Sequence, residues 1–111
     1  MEPETYPLFV YGTLLDPQVQ QLVFGRRLQG RPDRLPGFEK RERSVAGRYP
    51  EVCPDPAGKG FVDGQCLEVD AADLNRADAY ETTLYHRALV RLASGCQAWV
   101  YQASPLKSKA S

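Results

Sequence analysis

Tyr6-Pro7-Leu8-Phe9-Val10-Tyr11-Gly12-Thr13-Leu14 is the stretch on which the fold turns. Its aromatic and branched apolar residues follow one another without the polar alternation of a half-buried strand, which predicts a strand covered on both faces. Gly12 ends the run. Asp16-Pro17 then opens a helix, with Asp as the N-cap that accepts an orphan backbone N–H and Pro at the first helical position, where its missing donor costs nothing. Val19, Leu22 and Val23 give this helix its apolar face, and Gly25 gives it a stop.

Further along, the segment from Leu28 to Val52 is interrupted by Gly30, Pro32, Pro36-Gly37, Gly47 and Pro50, so it reads as short strands or loop and not as helix. Pro54 to Gly60 is a polar turn, and Phe61 to Val69 returns as a strand. Asp70 caps a second helix from Ala71 to about Ala79, with Leu74, Ala77 and Ala71 at i, i+3 spacing on one side and Glu81 just past its C-terminal end. Arg87 to Leu92, the Ser94-Gly95 turn and Cys96 to Tyr101 form a hairpin. The order β-α-β-β-β-α-β-β, with Gly and Pro at the corners, predicts an α+β domain. It is expected to be a small mixed, mainly antiparallel β-barrel flanked by two main helices that cover its openings.

A chain of 111 residues supports one hydrophobic core, assigned to residues 1–103, with the small, polar, lysine-containing residues 104–111 expected as a flexible tail. Lys+Arg and Asp+Glu number 14 each, and this zero net charge argues against a general nucleic-acid or membrane-surface partner. No apolar stretch approaches the roughly 20 residues of a membrane span. The acidic start Met1-Glu2-Pro3-Glu4 lacks the basic, then apolar, pattern of a secretion signal, so a cytoplasmic location is expected. Charge is nevertheless divided along the chain. Arg26, Arg27, Arg31, Arg34, Lys40, Arg41, Arg43 and Arg48 precede Glu51, Asp55, Asp63, Glu68, Asp70, Asp73, Asp78 and Glu81, and the two blocks are expected to compensate each other as solvated faces. Cys53, Cys66 and Cys96 with the single His86 make neither a disulfide framework nor a zinc-ligand pattern, so the thiols read as reduced and structural, with no metal or cofactor.

Two segments carry candidate chemistry. At Tyr11-Gly12-Thr13-Leu14 a buried strand stops at a glycine, where close backbone approach or a positive φ would let successive N–H groups converge on a carboxylate. The alternative is a plain strand-to-loop bend. The second glycine and the Lys-Ser/Thr pair of a phosphate loop are missing. In Asp78-Ala79-Tyr80-Glu81-Thr82-Thr83-Leu84-Tyr85-His86-Arg87 a carboxylate lies among aromatic residues after a capped helix. Burial and the helix C-terminus would both raise the pKa of Glu81 and make it a proton carrier. The alternative there is a solvated Glu81 paired with Arg87. His86 falls on the strand face opposite Tyr85 and Arg87, and without a nucleophile elbow it reads as an exposed strand histidine. Tyr49-Pro50 reads as a rigid extended rim or an ordinary turn.

Taken in order, Phe9-Val10-Tyr11-Gly12-Thr13-Leu14, Ala46-Gly47-Arg48-Tyr49-Pro50, Gly64 to Val69 and Asp78-x-Tyr80-Glu81-x-x-x-Tyr85-x-Arg87 resemble the γ-glutamylcyclotransferase-like superfamily over Pro7 to Tyr101. The chain is most similar to the small Tyr-Gly-Thr-Leu branch that includes γ-glutamylamine cyclotransferases. This resemblance implies a cofactor-free acyltransferase that cyclises a γ-glutamyl amine or peptide to 5-oxoproline. It also implies Glu81 as the catalytic residue, Tyr11, Gly12, Thr13 and Leu14 as the substrate-holding loop, and Tyr85 as a cavity wall. The chain departs from the pattern at Thr82, where a glycine often follows the glutamate. A non-catalytic module that binds a carboxylate metabolite in the same cavity is the alternative, and a weaker one is a protein contact through the arginine-rich segment.

Overall fold

The computed structural model describes residues 4–45, 47 and 49–103. Ala46 and Arg48 of the middle motif, and the 104–111 tail, lie outside the described residues. Strand β1 (Tyr6–Val10) occupies the centre of a five-stranded sheet of order β2-β5-β1-β7-β6, built with β2 (Arg31–Pro36), β5 (Phe61–Val69), β6 (Tyr85–Arg91) and β7 (Gln97–Ala103). Leu8 faces Leu67 of β5 in an antiparallel ladder and Trp99 of β7 in a parallel one, which makes the sheet mixed. The other ladders, β2 with β5 and β6 with β7, are antiparallel.

The expected barrel does not close. Among the described residues no ladder joins β6 to β2, and β2 carries Pro32 and Pro36, which lack an N–H and suit a sheet edge. The two edges meet at the β6–β7 turn, where the Ala93 N–H donates to the Arg34 carbonyl at 2.8 Å and the Ser94 hydroxyl donates to Asp33 at 2.6 Å. Strands β3 (Phe38–Val45) and β4 (Tyr49–Pro54) form a separate hairpin, so four strands, not three, separate the helices. Its register shifts between Arg41 and Val45, with Arg43 at φ 55°.

Both faces of β1 are covered, as its unbroken apolar run requires. Leu8 and Val10 join Leu67, Val69, Val23, Phe24, Leu74 and Ala77 in a core beneath the helices. Phe9 and Tyr11 join Leu35, Val52, Val62, Cys66 and Val100 in a second core that reaches the β3–β4 hairpin. Leu8, Phe9 and Val10 are at most 2% exposed, each burial stabilising by about 1.5–3 kcal/mol. Residues of both helices belong to the first core, so the helices pack on one face of the sheet instead of capping two openings.

Helix α1 (Pro17–Phe24) starts as expected, Asp16 accepting the Gln18 N–H at 2.8 Å, and ends at Gly25. Leu22, expected on the apolar face, is 79% exposed. The buried face is Gln20, Val23 and Phe24. Gln20 can lie inside because its amide is satisfied at both ends, donating to the Leu14 carbonyl at 2.8 Å and accepting the Leu28 N–H at 2.9 Å. Helix α2 (Ala71–Glu81) runs past Ala79 to include Glu81, and Ala71 is exposed. Asp70 and Asp73 close a capping box, and the fully buried Asp73 also takes a bidentate contact from Arg26 at 2.7 and 3.0 Å. Arg34–Asp63 and Arg31–Glu68 likewise join the basic and acidic blocks, whereas Arg41–Glu39 and Lys40–Glu42 pair within the basic segment. No helix among the described residues is long and apolar enough to cross a membrane.

Candidate active site

The end of β1 and the end of α2 open onto one cavity. Beyond Val10 the chain turns through Gly12 into a 3-10 turn, Thr13–Leu15, closed by the Leu15 N–H on the Gly12 carbonyl and the Asp16 N–H on the Thr13 carbonyl, both at 3.0 Å. The N–H groups of Gly12, Thr13 and Leu14 enter no hydrogen bond among the described residues outside the strand ladders. Gly12 itself sits at φ −130°, so a left-handed backbone is not what selects glycine here. Close approach is the remaining reason, because a Cβ on Gly12 would meet Pro50 Cγ at 3.2 Å.

On the other side, α2 ends at Glu81 and the chain passes through a second 3-10 turn, Thr82–Leu84, into β6. Thr82 holds φ 60° and ψ −157°, a conformation that favours glycine. Its hydroxyl donates to the Glu81 carbonyl at 2.6 Å and accepts the Leu84 N–H at 3.3 Å. The turn leaves Glu81 half-buried among Tyr80, Leu84 and Tyr85. Burial pushes its carboxyl up from about 4.5 to about 7. No ion pair or hydrogen bond engages that carboxylate among the described residues. Arg87, the alternative partner, is taken by Asp78 instead, at 2.7 and 3.0 Å.

Tyr11, Gly12, Thr13, Leu14, Glu81 and Tyr85 all line the same cavity, of about 200 Å³. That is below the roughly 300–1,000 Å³ of drug-sized pockets and suits a group of amino-acid size. Hydroxyls stitch its walls together. Tyr80 donates to Thr13 Oγ1 at 3.1 Å, Tyr85 to the Pro50 carbonyl at 2.7 Å, and Tyr11 to the Tyr101 carbonyl at 2.6 Å. Burial raises the pKa of the Tyr11 and Tyr85 phenols, and the nearby Glu81 adds to the shift, so both stay protonated donors. Tyr49 and Pro50, at the start of β4 and so in extended backbone, also line the cavity. Sequence reasoning missed Tyr101, although Trp99 and Tyr101 share a strand face by alternation. His86 is exposed, and none of the three cysteines lines the cavity.

The model of the family described as gamma-glutamyl cyclotransferase, AIG2-like, matches residues 8–111. The chain belongs to that family. AIG2-like protein A of Arabidopsis thaliana is 31% identical over 112 residues, a match that covers 92% of this chain and 66% of that protein. Matches to two further AIG2 relatives from the same plant cover 54% and 49% of their lengths, so the chain spans between about half and two thirds of the curated relatives it matches. An Arabidopsis protein known from its solution structure superposes with TM-score 0.78 at 25% identity, covering 92% of this chain and 64% of the other. A structure titled gamma-glutamyl cyclotransferase gives TM-score 0.76 at 17% identity, covering 91% and 68%, a likeness of fold. The chain's own fold is thus an α+β one with two helices on a mainly antiparallel, open sheet, and it is like that structure in fold.

Proposed function

We propose that this family member is a cyclising acyltransferase, in which the α-amine of a γ-glutamyl group attacks its own γ-carbonyl to give 5-oxoproline and a free amine. The attack is intramolecular, so the protein has to hold the curled conformer and move protons. The N–H groups of Gly12, Thr13 and Leu14 grip the α-carboxylate, and a donor left over meets the tetrahedral oxyanion. Glu81 removes a proton from the α-ammonium and delivers one to the leaving nitrogen. Across the reaction the α-nitrogen loses two protons and the departing amine takes up two, leaving as its ammonium, with no water consumed.

The observation that supports this reading is one amino-acid-sized cavity lined by Gly12, Thr13 and Leu14 at the end of β1 and by a carboxylate whose pKa of about 7 suits a general base near neutral pH. The test is incubation of purified protein with a panel of γ-glutamyl amines and dipeptides, following 5-oxoproline and melting temperature together. Release of 5-oxoproline from at least one compound is expected. A rise in melting temperature with no product from any compound would point to the binding module instead.

A further inference from the structure

Glu81 reaches the cavity from a turn that is held at both ends. At its base, Asp78 of α2 accepts two hydrogen bonds from Arg87 of β6, at 2.7 and 3.0 Å, and a third from the Tyr101 hydroxyl at 2.7 Å. On the far side, the Tyr85 hydroxyl donates to the Pro50 carbonyl at 2.7 Å. The chain therefore has to leave α2 and enter β6 within residues 82–84, and the Thr82 N–H closes the helix on the Asp78 carbonyl. So short a link puts Thr82 at φ 60° and ψ −157°, a region that any Cβ makes costly and a branched one more so. The Thr82 hydroxyl spans the link, donating to the Glu81 carbonyl at 2.6 Å and accepting the Leu84 N–H at 3.3 Å. Without it, rotation about the bonds joining Glu81 to Thr82 would relieve the strain. That rotation carries the Glu81 side chain out of its place in the cavity wall.

We propose that Thr82 is a positioning residue for Glu81, its hydroxyl holding the strained turn in the arrangement that keeps the carboxyl in the cavity, a role that rests on the cyclotransferase reading above. The hydroxyl is needed because the residue carries a Cβ, and a residue without one has no need of it. The test measures kcat, KM and melting temperature for Thr82→Ser, Thr82→Gly and Thr82→Val. Release of 5-oxoproline is followed from whichever of γ-glutamyl-methylamide, γ-glutamyl-butylamide and γ-glutamyl-alanine the wild type turns over fastest. Thr82→Ser keeps the hydroxyl and Thr82→Gly removes the strain, so both are expected within about twofold of the wild-type kcat. Thr82→Val keeps the shape and the strain but loses the hydroxyl. Its kcat is expected to fall about tenfold or more at an unchanged KM, since a misplacement of about 1 Å can cost about 100-fold. Thr82→Ala, strained and without the hydroxyl but smaller, takes its place if Thr82→Val does not fold. Wild-type kcat in the strained variant without a hydroxyl overturns the positioning role. So does an equal fall in Thr82→Ser and Thr82→Gly, and so does a rise in KM alone, which would make Thr82 a substrate contact. Failure of both Thr82→Val and Thr82→Ala to fold would make Thr82 a structural residue and overturn the role as well. No 5-oxoproline from the wild type with any of the three compounds overturns the cyclotransferase reading and the positioning role with it.

Discussion

Glu81 is the residue whose surroundings have the clearest consequence for pH. Its folded pKa of about 7 lies above the ordinary value of about 4.5, so between those limits the folded chain holds a proton that the unfolded chain releases. Stability contributed at this site is complete below about pH 4.5 and is lost as pH rises through about 7. Glu81→Gln is neutral throughout, so thermal unfolding should show it melting above the wild type at pH 8, with the difference closing toward pH 4.5. A lower melting point at pH 8 would mean that the carboxylate is stabilised by its neighbours. Gly12 makes the complementary case. A methyl group there crowds Pro50 at the cavity rim, so Gly12→Ala is expected to weaken calorimetric binding of a γ-glutamyl ligand by about tenfold while shifting the melting temperature little. Early melting with normal affinity would assign Gly12 to folding alone. The glycine and the glutamate were both legible in the sequence, but the reason for the glycine was only half legible. Its φ of −130° shows close approach to be the requirement, and that approach comes from Pro50, distant in sequence and invisible to local pattern.

Among the elements, the helices depart furthest from what local pattern implied. The cap at Asp16, the stop at Gly25 and the cap at Asp70 were readable because capping depends on neighbours in sequence. The buried face of α1 was not, because it includes Gln20, a polar residue made acceptable inside by partners on two other segments. Nor was the tie between the helices. Burial alone would raise the Asp73 carboxyl, but Arg26 and the Asp70 N–H outweigh it and hold the group below its ordinary value. That contribution is present above the unfolded pKa of about 4 and is lost as pH falls through the lower folded value. Arg26→Ala leaves the buried Asp73 with Arg76, at the longer distance of 3.4 Å, as its remaining cation and is expected to cost about 1–3 kcal/mol in denaturant unfolding at pH 7, with a smaller penalty in acid. A cost independent of pH would remove the charge from the explanation.

At the scale of the whole molecule, the double-sided burial of β1 was written in its unbroken apolar run, and with it the α+β class. Closure was not, since whether two edges pair depends on prolines and turns far apart in the chain. The same architecture brings the strand end and the helix end together around one cavity, and the central claim is that Glu81 moves protons there. The direct measurement is the rate of 5-oxoproline release from a γ-glutamyl amide at pH 8 by the wild type and by Glu81→Gln, with melting curves from the same preparations. Release by the wild type is expected, with a fall of roughly 100-fold or more in a fully folded variant. Equal rates from the two proteins would contradict it.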